Sequence, residues 1–154
     1  PEQIQKAKVI LWYGYCSVHQ GFTKAQVEQI KKDDPETTVI VHPECSFEVV
    51  QAADMDGSTS HIINTVKNAP AGSKWAIGTE INLVNRLANE FTDKKIVSLS
   101  PYQCLCATMY RVRPRLLLES FRSIKRSQPI NVISVDEEVK KNSLKALERM
   151  LKIS

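Results

Sequence analysis

Four short runs of apolar residues limit the folds open to this chain more than any other feature of its sequence. They cover residues 8–13, 37–42, 75–77 and 96–99. Their apolar residues follow one another instead of alternating with polar ones, which is typical of strands buried on both faces of a parallel sheet. Segments with helical spacing of apolar residues separate the runs. We therefore predict an α/β fold, built as a three-layer α/β/α domain around a parallel sheet.

Capping residues and proline predict where the helices between the strands begin and end. Thr23 and Gln26 match a capping box, and the helix that begins there should end before Pro35. Further helices are predicted for residues 46–53, for a segment opened by Ser58, and for residues 81–91.

Beyond Ser100 the alternation of strand and helix stops, and C-terminal helices are predicted over residues 114–126 and 136–152. Residues 130–135 between them should form a short extended segment. The first helix should turn Leu117, Leu118, Phe121 and Ile124 inward, and Val139, Leu144, Leu147, Met150 and Leu151 supply the apolar side of the second. The predicted domains are residues 1–103 and residues 104–154.

The composition excludes several classes of protein. The chain has 154 residues, of which 42% are hydrophobic and 25% charged, so it is neither collagen-like nor largely disordered. The net charge of +4 is too small to indicate nucleic-acid binding, and the basic residues near Arg115 and Arg122 read most simply as a solvated helix face. No apolar run is long enough to cross a membrane. Because the chain begins at Pro1 without a signal segment, we expect a piece of a longer or processed protein, located in the cytoplasm or, in a plant, in an organelle.

The four cysteines allow more than one interpretation. They are Cys16, Cys45, Cys104 and Cys106. An even count would permit two disulfides, but a chain of this size without a secretion signal does not need them. The sequence contains no CxxC pair, the motif typical of a zinc ribbon. The CxC pair at 104–106 is a weaker indication of metal binding. These cysteines could therefore be small buried side chains of the core or metal ligands, and the sequence allows both interpretations.

Polar clusters follow the predicted strands, where parallel α/β sheets bind their ligands. They lie at residues 14–19, 42–45, 78–80 and 100–106. His42 and Glu44 could point into one site, where a carboxylate beside an imidazole suits acid/base chemistry, although a histidine at a strand end is often structural. Residues 57–60 open a helix and could bind an anion or simply cap it. The absence of a GxGxxG or Walker pattern argues against a nucleotide-binding fold.

These clusters, in this order, resemble the quinolinate synthase family of the NadA type, and specifically its C-terminal half. Each match is modest, but their order along nearly the whole chain makes chance a poor explanation. The matching stretches are residues 12–19 (WYGYCSVH), 41–45 (VHPEC), 57–60 (GSTS), 77–80 (IGTE), 106–109 (CATM) and 146–151 (ALERML).

The resemblance implies an enzyme of three similar α/β/α domains around one site. Its reaction condenses iminoaspartate with dihydroxyacetone phosphate to give quinolinate, with release of phosphate and water. A [4Fe–4S] cluster, held by one cysteine from each domain, leaves one iron open as a Lewis acid. Cys16 and Cys106 match two of these ligands, and the third has no counterpart in this chain. Cys45 resembles a non-ligand. Cys104 lies near a position where some members carry additional redox-capable cysteines, although its spacing differs from theirs, and it is not assigned as a ligand.

The resemblance also assigns substrate contacts. His42 matches a substrate-binding histidine, Glu44 a catalytic acid/base, and Ser58 and Thr59 the residues that hold substrate carboxylates. Two positions depart from the family pattern: His61 stands where many members have glycine, and Ala107 where many have proline. His61 could crowd the anion site.

Two hypotheses follow from this sequence. In the first, the chain is the C-terminal portion of a quinolinate synthase, inactive alone because the upstream half carries a ligand and a wall of the site. In the second, it is a catalytically incompetent partial subunit or remnant that serves as a binding or assembly module. Neither involves nucleic acid or a membrane.

Overall fold

The described residues of this computed structural model are 2–8, 10, 13–102 and 105–153, and they form strands and helices in alternation. The strands are β1 (Thr38–Val41), β2 (Met55–Asp56), β3 (Lys74–Gly78) and β4 (Lys95–Ser98). The α-helices are α1 (Glu2–Lys6), α2 (Lys24–Asp33), α3 (Phe47–Ala52), α4 (Thr59–Asn68), α5 (Ile81–Glu90), α6 (Pro114–Lys125) and α7 (Glu137–Met150).

The strands form one parallel sheet in the order β2-β1-β3-β4. β1 pairs with β2 on one side, with Val41 opposite Asp56, and with β3 on the other, with Val41 opposite Gly78. After β1 the chain adds β2 on one side and then crosses back to add β3 on the other. The direction of strand addition therefore reverses between β1 and β3, which is where open α/β sheets bind ligands.

Successive residues of each strand point to opposite faces of the sheet, and each face has its own apolar core. Val39 and Val41 belong to the cluster that includes Val27 of α2 and Val49 of α3. Ile40 belongs to the other cluster, together with residues of α4 and α5 such as Ile62 and Leu87. Burying a side chain of this kind stabilises a fold by about 1.5–3 kcal/mol. Helices on both faces confirm the predicted three-layer α/β/α domain.

Helix capping agrees with the sequence at two of three positions. Thr23 and Gln26 form the predicted capping box at the start of α2. Ser58 caps α4, because its hydroxyl accepts a hydrogen bond from the His61 N–H. Ser46 precedes α3 but makes no side-chain capping bond. Of the predicted strands after residue 13, the three at 37–42, 75–77 and 96–99 are confirmed within one residue at either end.

The sequence and the structure differ at two points before Ser58. In the predicted strand at residues 8–13, Val9, Leu11 and Trp12 lie outside the described residues, and the described Lys8, Ile10 and Tyr13 are not in a strand. No sequence pattern predicts β2, a two-residue edge strand without an apolar run. The predicted extended segment at residues 130–135 is neither helix nor strand and pairs with no strand among the described residues, so its extended form stays a prediction.

The chain divides into two compact units, Pro1–Tyr110 and Arg111–Ser154. Residues 103 and 104, where we predict the domain boundary, lie outside the described residues, so that boundary stays a prediction. The second unit contains α6 and α7, as predicted. Their apolar residues are exposed, however: Phe121 is 61% exposed and Leu144 51%. The expectation that the apolar residues of α6 face inward is therefore wrong for this unit.

No helix among residues 2–8, 10, 13–102 and 105–153 combines the length and apolarity needed to cross a membrane.

Candidate functional site

Two loops meet at the carboxyl edge of the sheet, where the direction of strand addition reverses. One loop follows β1 and begins at His42, and the other follows β3 and contains Thr79. The backbone N–H of His42 donates to the carbonyl oxygen of Gly78 at 3.1 Å, so the two strand ends are tied together. The arrangement brings residues distant in sequence into one place.

His19 links these loops through both of its ring nitrogens. Its Nδ1 lies 3.0 Å from Glu44 Oε2, and its Nε2 lies 3.2 Å from the Thr79 hydroxyl. A neutral imidazole with its proton on Nδ1 satisfies both contacts, because Nδ1 donates to the carboxylate and Nε2 accepts from the hydroxyl. His19 and Thr79 are both buried. The pair of contacts therefore fixes the direction in which the half-exposed Glu44 carboxylate points.

The ring of His42 stacks against the ring of His19. The rings of His19 and His42 are parallel to within 7°, with their centroids 4.3 Å apart. The Nδ1 of His42 accepts a hydrogen bond from the Glu44 N–H at 3.2 Å, which leaves the ring proton on Nε2. Burial and the neighbouring His19 lower the pKa of His42, and Glu44 opposes this shift. His42 is therefore a neutral hydrogen-bond donor at pH 7.

Cys16 lies beside the same carboxylate. Its sulfur, a ring nitrogen of His19 and an oxygen of Glu44 all lie within 4.8 Å of one another, close enough to serve one metal centre. Cys106 is likewise a half-buried free thiol, and both cysteines pack against the apolar cluster of the α2 and α3 face. Cys45 is buried, and its thiol donates to the Gly78 carbonyl at 3.7 Å. Cys104 lies outside the described residues.

Cys16 and Cys106 occupy the same local structure, which the sequence analysis did not detect. In each case the residue four positions later donates its N–H to the cysteine carbonyl at 3.0 Å. A 3-10 turn follows, at His19–Gly21 in one case and Met109–Arg111 in the other. An α-helix then begins eight residues after each cysteine, at Lys24 and Pro114. The two cysteines thus open two equivalent segments of the chain, although the sequences between them differ.

The predicted anion-binding residues lie along the same edge of the sheet. The N–H of Gly57 donates to the Val41 carbonyl at 3.1 Å, which places the start of α4 next to the end of β1. Ser58 and Thr59 are exposed. The ring of His61 lies directly against Gly57, where an added Cβ atom would overlap it. Among the described residues, Ser58 and Thr59 make no hydrogen bond with His42 or Glu44.

The structure gives other polar residues of the strand-end clusters distinct roles. Glu80 caps α5, because its carboxylate accepts from the backbone and side-chain nitrogens of Asn82, each at 2.8 Å. His19 and Thr79 lie in the predicted clusters, but neither has a role predicted from the sequence. The signal that could have identified His19 is its position three residues after Cys16, in the same post-strand cluster.

Comparison with known proteins shows the family to which this chain belongs. Residues 1–152 match the family described as quinolinate synthetase A protein. The chain is 53% identical over 148 residues to a quinolinate synthase of Bacillus cytotoxicus, and the match covers 96% of this chain and 40% of that relative. It is 52% identical to a quinolinate synthase of a Geobacillus species, covering 98% of this chain and 41% of that relative. The chain thus spans about two fifths of the length of these curated relatives, and it belongs to the quinolinate synthase family.

Proposed function

We propose that this chain is the C-terminal portion of a quinolinate synthase that condenses iminoaspartate with dihydroxyacetone phosphate to quinolinate in NAD biosynthesis. The observation that carries this proposal is the position of Glu44, held by His19 and flanked by His42, at the carboxyl edge between β1 and β3. A carboxylate and two imidazoles at that edge can move protons and orient an oxygen-rich substrate. Family membership supports this reaction among those that such a site could perform. We place the enzyme in the cytoplasm.

In this proposal Glu44 is the acid/base group. Its carboxylate is half-exposed, so it can reach a substrate while His19 holds one of its oxygens at 3.0 Å. Condensation and loss of water both require a group that removes a proton from carbon and returns one to a departing hydroxyl. His42 presents a neutral Nε2–H that can donate to a substrate carboxylate or carbonyl oxygen.

Ser58 and Thr59 hold the substrate carboxylates in this proposal. They stand at the start of the ten-residue helix α4, whose free N–H groups and dipole favour an anion. The Ser58 hydroxyl accepts a hydrogen bond from the His61 N–H, as in an ordinary helix cap. A substrate carboxylate would therefore bind in addition to that capping contact. Gly57 lies beside the end of β1, which supports an anion site at the same edge of the sheet as Glu44.

Cys16 and Cys106 are the proposed ligands of a [4Fe–4S] cluster. The fit rests on the chemistry of the donors: both are half-buried free thiols in equivalent turns, and thiolates are the usual ligands of such clusters. When bound, the cluster supplies an open iron that polarises substrate oxygens. The third cysteine belongs to the part of the longer enzyme outside these 154 residues, the upstream half in the family pattern. The chain alone is therefore inactive in this proposal.

Anaerobic reconstitution with iron and sulfide tests this proposal. This chain alone is compared with a chimera, in which the chain replaces the matching 148 residues of the Bacillus cytotoxicus relative. We expect a stoichiometric cluster absorbance and quinolinate formation only from the chimera. A stable cluster and quinolinate from this chain alone would refute the incomplete site. A folded, cluster-loaded chimera without activity would instead support a catalytically incompetent remnant.

A further inference from the structure

Three chemically different donor atoms meet in the loops at the carboxyl edge of the sheet. They are the sulfur of Cys16, a ring nitrogen of His19 and a carboxylate oxygen of Glu44, all within 4.8 Å of one another. In a tetrahedral zinc site the ligand atoms lie about 2.0–2.3 Å from the metal, and therefore about 3.3–3.8 Å apart. Cys16 is half-buried and the Glu44 side chain is 57% exposed, so both can rotate by the small amount that one shared ion requires.

His19 already has the second partner that a metal-bound imidazole needs. Its Nδ1 lies 3.0 Å from Glu44 Oε2, and its Nε2 lies 3.2 Å from the Thr79 hydroxyl. A histidine that binds a metal through one nitrogen usually donates its other N–H to an oxygen, which fixes the ring. With a metal on Nδ1, the ring proton sits on Nε2 and is donated to Thr79, whose hydroxyl can accept as well as donate. The metal thus replaces the proton between His19 and Glu44.

The donor set indicates which class of metal fits. One sulfur, one nitrogen and one oxygen suit a borderline cation such as Zn²⁺, whereas Ca²⁺ and Mg²⁺ bind through oxygen atoms. Three protein ligands leave the fourth tetrahedral position to water. Binding releases the proton of the Cys16 thiol to the solvent, because the thiolate is the form that ligates a metal. No electron is transferred in this step.

Two other cysteines of the described residues lie outside this group of donors. Cys45 is buried, and its thiol donates to the Gly78 carbonyl. Cys106 is a half-buried free thiol that packs against the same apolar cluster as Cys16, but it is not among the donor atoms near Glu44. Cys106 is therefore the matched control for a metal that binds through Cys16.

We propose that Cys16, His19 and Glu44 together bind one Zn²⁺ ion when the protein carries no iron–sulfur cluster. Zinc and the proposed cluster exclude each other, because both need the Cys16 thiolate. Bound zinc also occupies an oxygen of Glu44 and so withdraws the proposed acid/base group from a substrate. The zinc site follows from the geometry alone, whereas its competition with the cluster rests on the proposed function.

Titration with Co²⁺, which replaces Zn²⁺ in tetrahedral sites and absorbs light, tests the ligands. The chain is kept anaerobic and reduced with a phosphine, which leaves its thiols free. We expect one tetrahedral Co²⁺ per chain, with a sulfur-to-cobalt charge-transfer band of the intensity of one thiolate, and displacement of that band by Zn²⁺. A Co²⁺ complex without the thiolate band would overturn the proposal, and this measurement needs no variant.

Two cysteine variants show which thiolate binds. Cys16→Ser should weaken Zn²⁺ binding by more than about 100-fold, because losing a ligand costs more than losing its outer partner. Cys106→Ser should bind Zn²⁺ like the parent. The melting temperature of the metal-free variants checks that both are folded. Loss of the band in Cys106→Ser, with or without loss in Cys16→Ser, would place the metal on other thiols and refute the site.

Thr79 tests the orientation of His19 without touching the metal. Thr79→Val should weaken Zn²⁺ binding by about 10–100-fold, the usual effect of removing the outer partner of a metal-bound histidine. Thr79→Ser keeps the hydroxyl and should restore the affinity of the parent. Equal affinities of all three proteins would contradict binding through the Nδ1 of His19.

Metal analysis of the chimera tests the competition with the cluster. After incubation with Zn²⁺ and desalting, the metal-free chimera should retain one Zn²⁺ that depends on Cys16, and the cluster-loaded chimera should retain none there. Retention of that zinc beside a full cluster would refute the exclusion. A chimera that forms no cluster would count against the proposed function, whereas the cobalt titration of this chain alone would still decide the zinc site.

Discussion

His19 joins residues that lie far from it in the sequence. Its partners Glu44 and Thr79 are 25 and 60 residues away. Because His19 is only 7% exposed, both ring nitrogens need partners within the protein. Removing one partner would leave a buried donor or acceptor unsatisfied, at a cost of about 1–3 kcal/mol. The same contacts that stabilise the loops therefore also orient the proposed acid/base carboxylate.

Replacing the proposed acid/base carboxylate should abolish proton transfer while preserving local structure. In the chimera, we expect Glu44→Gln to lower kcat by about 10²–10⁴-fold, the usual contribution of a general acid/base group. The amide oxygen can still accept from His19, so the melting temperature should change little. Glu48→Gln is the matched control, because Glu48 is exposed in the first turn of α3. Steady-state rates of quinolinate formation decide the matter, and a Glu44→Gln variant with unreduced kcat would exclude this role.

The pKa of His42 predicts a dependence of stability on pH. Burial and His19 lower the pKa of His42 in the folded protein below its ordinary value of 6.5. Between the two pKa values the unfolded chain binds more protons, so the free energy of unfolding decreases as the pH falls below about 6.5. Above that pH the contribution of His42 is constant. Urea unfolding of this chain, measured from pH 8 to pH 5, should therefore show a smaller decrease in the free energy of unfolding for His42→Gln than for the parent. Parallel curves would contradict the lowered pKa.

At the scale of elements, local patterns predict the strands and helices better than they predict what covers them. Three apolar runs and the capping box at Thr23 lie where the sequence places them. β2 consists of two residues, both exposed, so it is too short to show a periodic pattern and has no buried side chain to indicate a strand. For α6 the helix predicted from the spacing of apolar residues is confirmed, whereas the predicted burial of those residues is wrong. Spacing identifies the apolar side of a helix, whereas burial depends on a partner elsewhere.

The end of β3 approaches its neighbours too closely for a side chain. A Cβ atom on Gly78 would lie 2.8 Å from Val41 Cγ1 and 3.1 Å from Leu99 Cδ2. We expect Gly78→Ala to destabilise this chain by about 1–3 kcal/mol, the usual effect of overpacking a core. Urea denaturation measures the change. Gly21→Ala is the control, because nothing lies within 4 Å of the added Cβ atom, and it should stay within about 0.5 kcal/mol. Equal effects of the two changes would contradict the tight contact.

At the scale of the whole molecule, the two units differ in how they hold their apolar residues. Pro1–Tyr110 has an apolar core on each face of its sheet. Arg111–Ser154 exposes the apolar sides of both its helices. Local openings cost little free energy where few apolar contacts are buried. The second unit should therefore be the less stable part of this chain when it is studied alone.

Limited proteolysis tests this difference. Within residues 13–153, we expect trypsin to cut this chain first after Lys125 or Arg126, where α6 ends. Ser127 and Asn131, in the connection to α7, have positive φ angles. Mass spectrometry of early products identifies the site, and the remaining fragment should contain β1 to β4. A first cut between Lys24 and Ser98 would mean that the first unit is the weaker one.

The sequence by itself determines the class of fold, most of the strands, the caps of α2 and α4, and the family. These depend on contacts within a few residues or on the order of short motifs, so they can be read along the chain. The tertiary structure alone decides that His19 connects Glu44 to Thr79 and stacks on His42. It also decides that α6 leaves its apolar side uncovered. The physical reason is the same in both cases: strand register and packing set which distant residues meet, and neither leaves a periodic trace in the sequence.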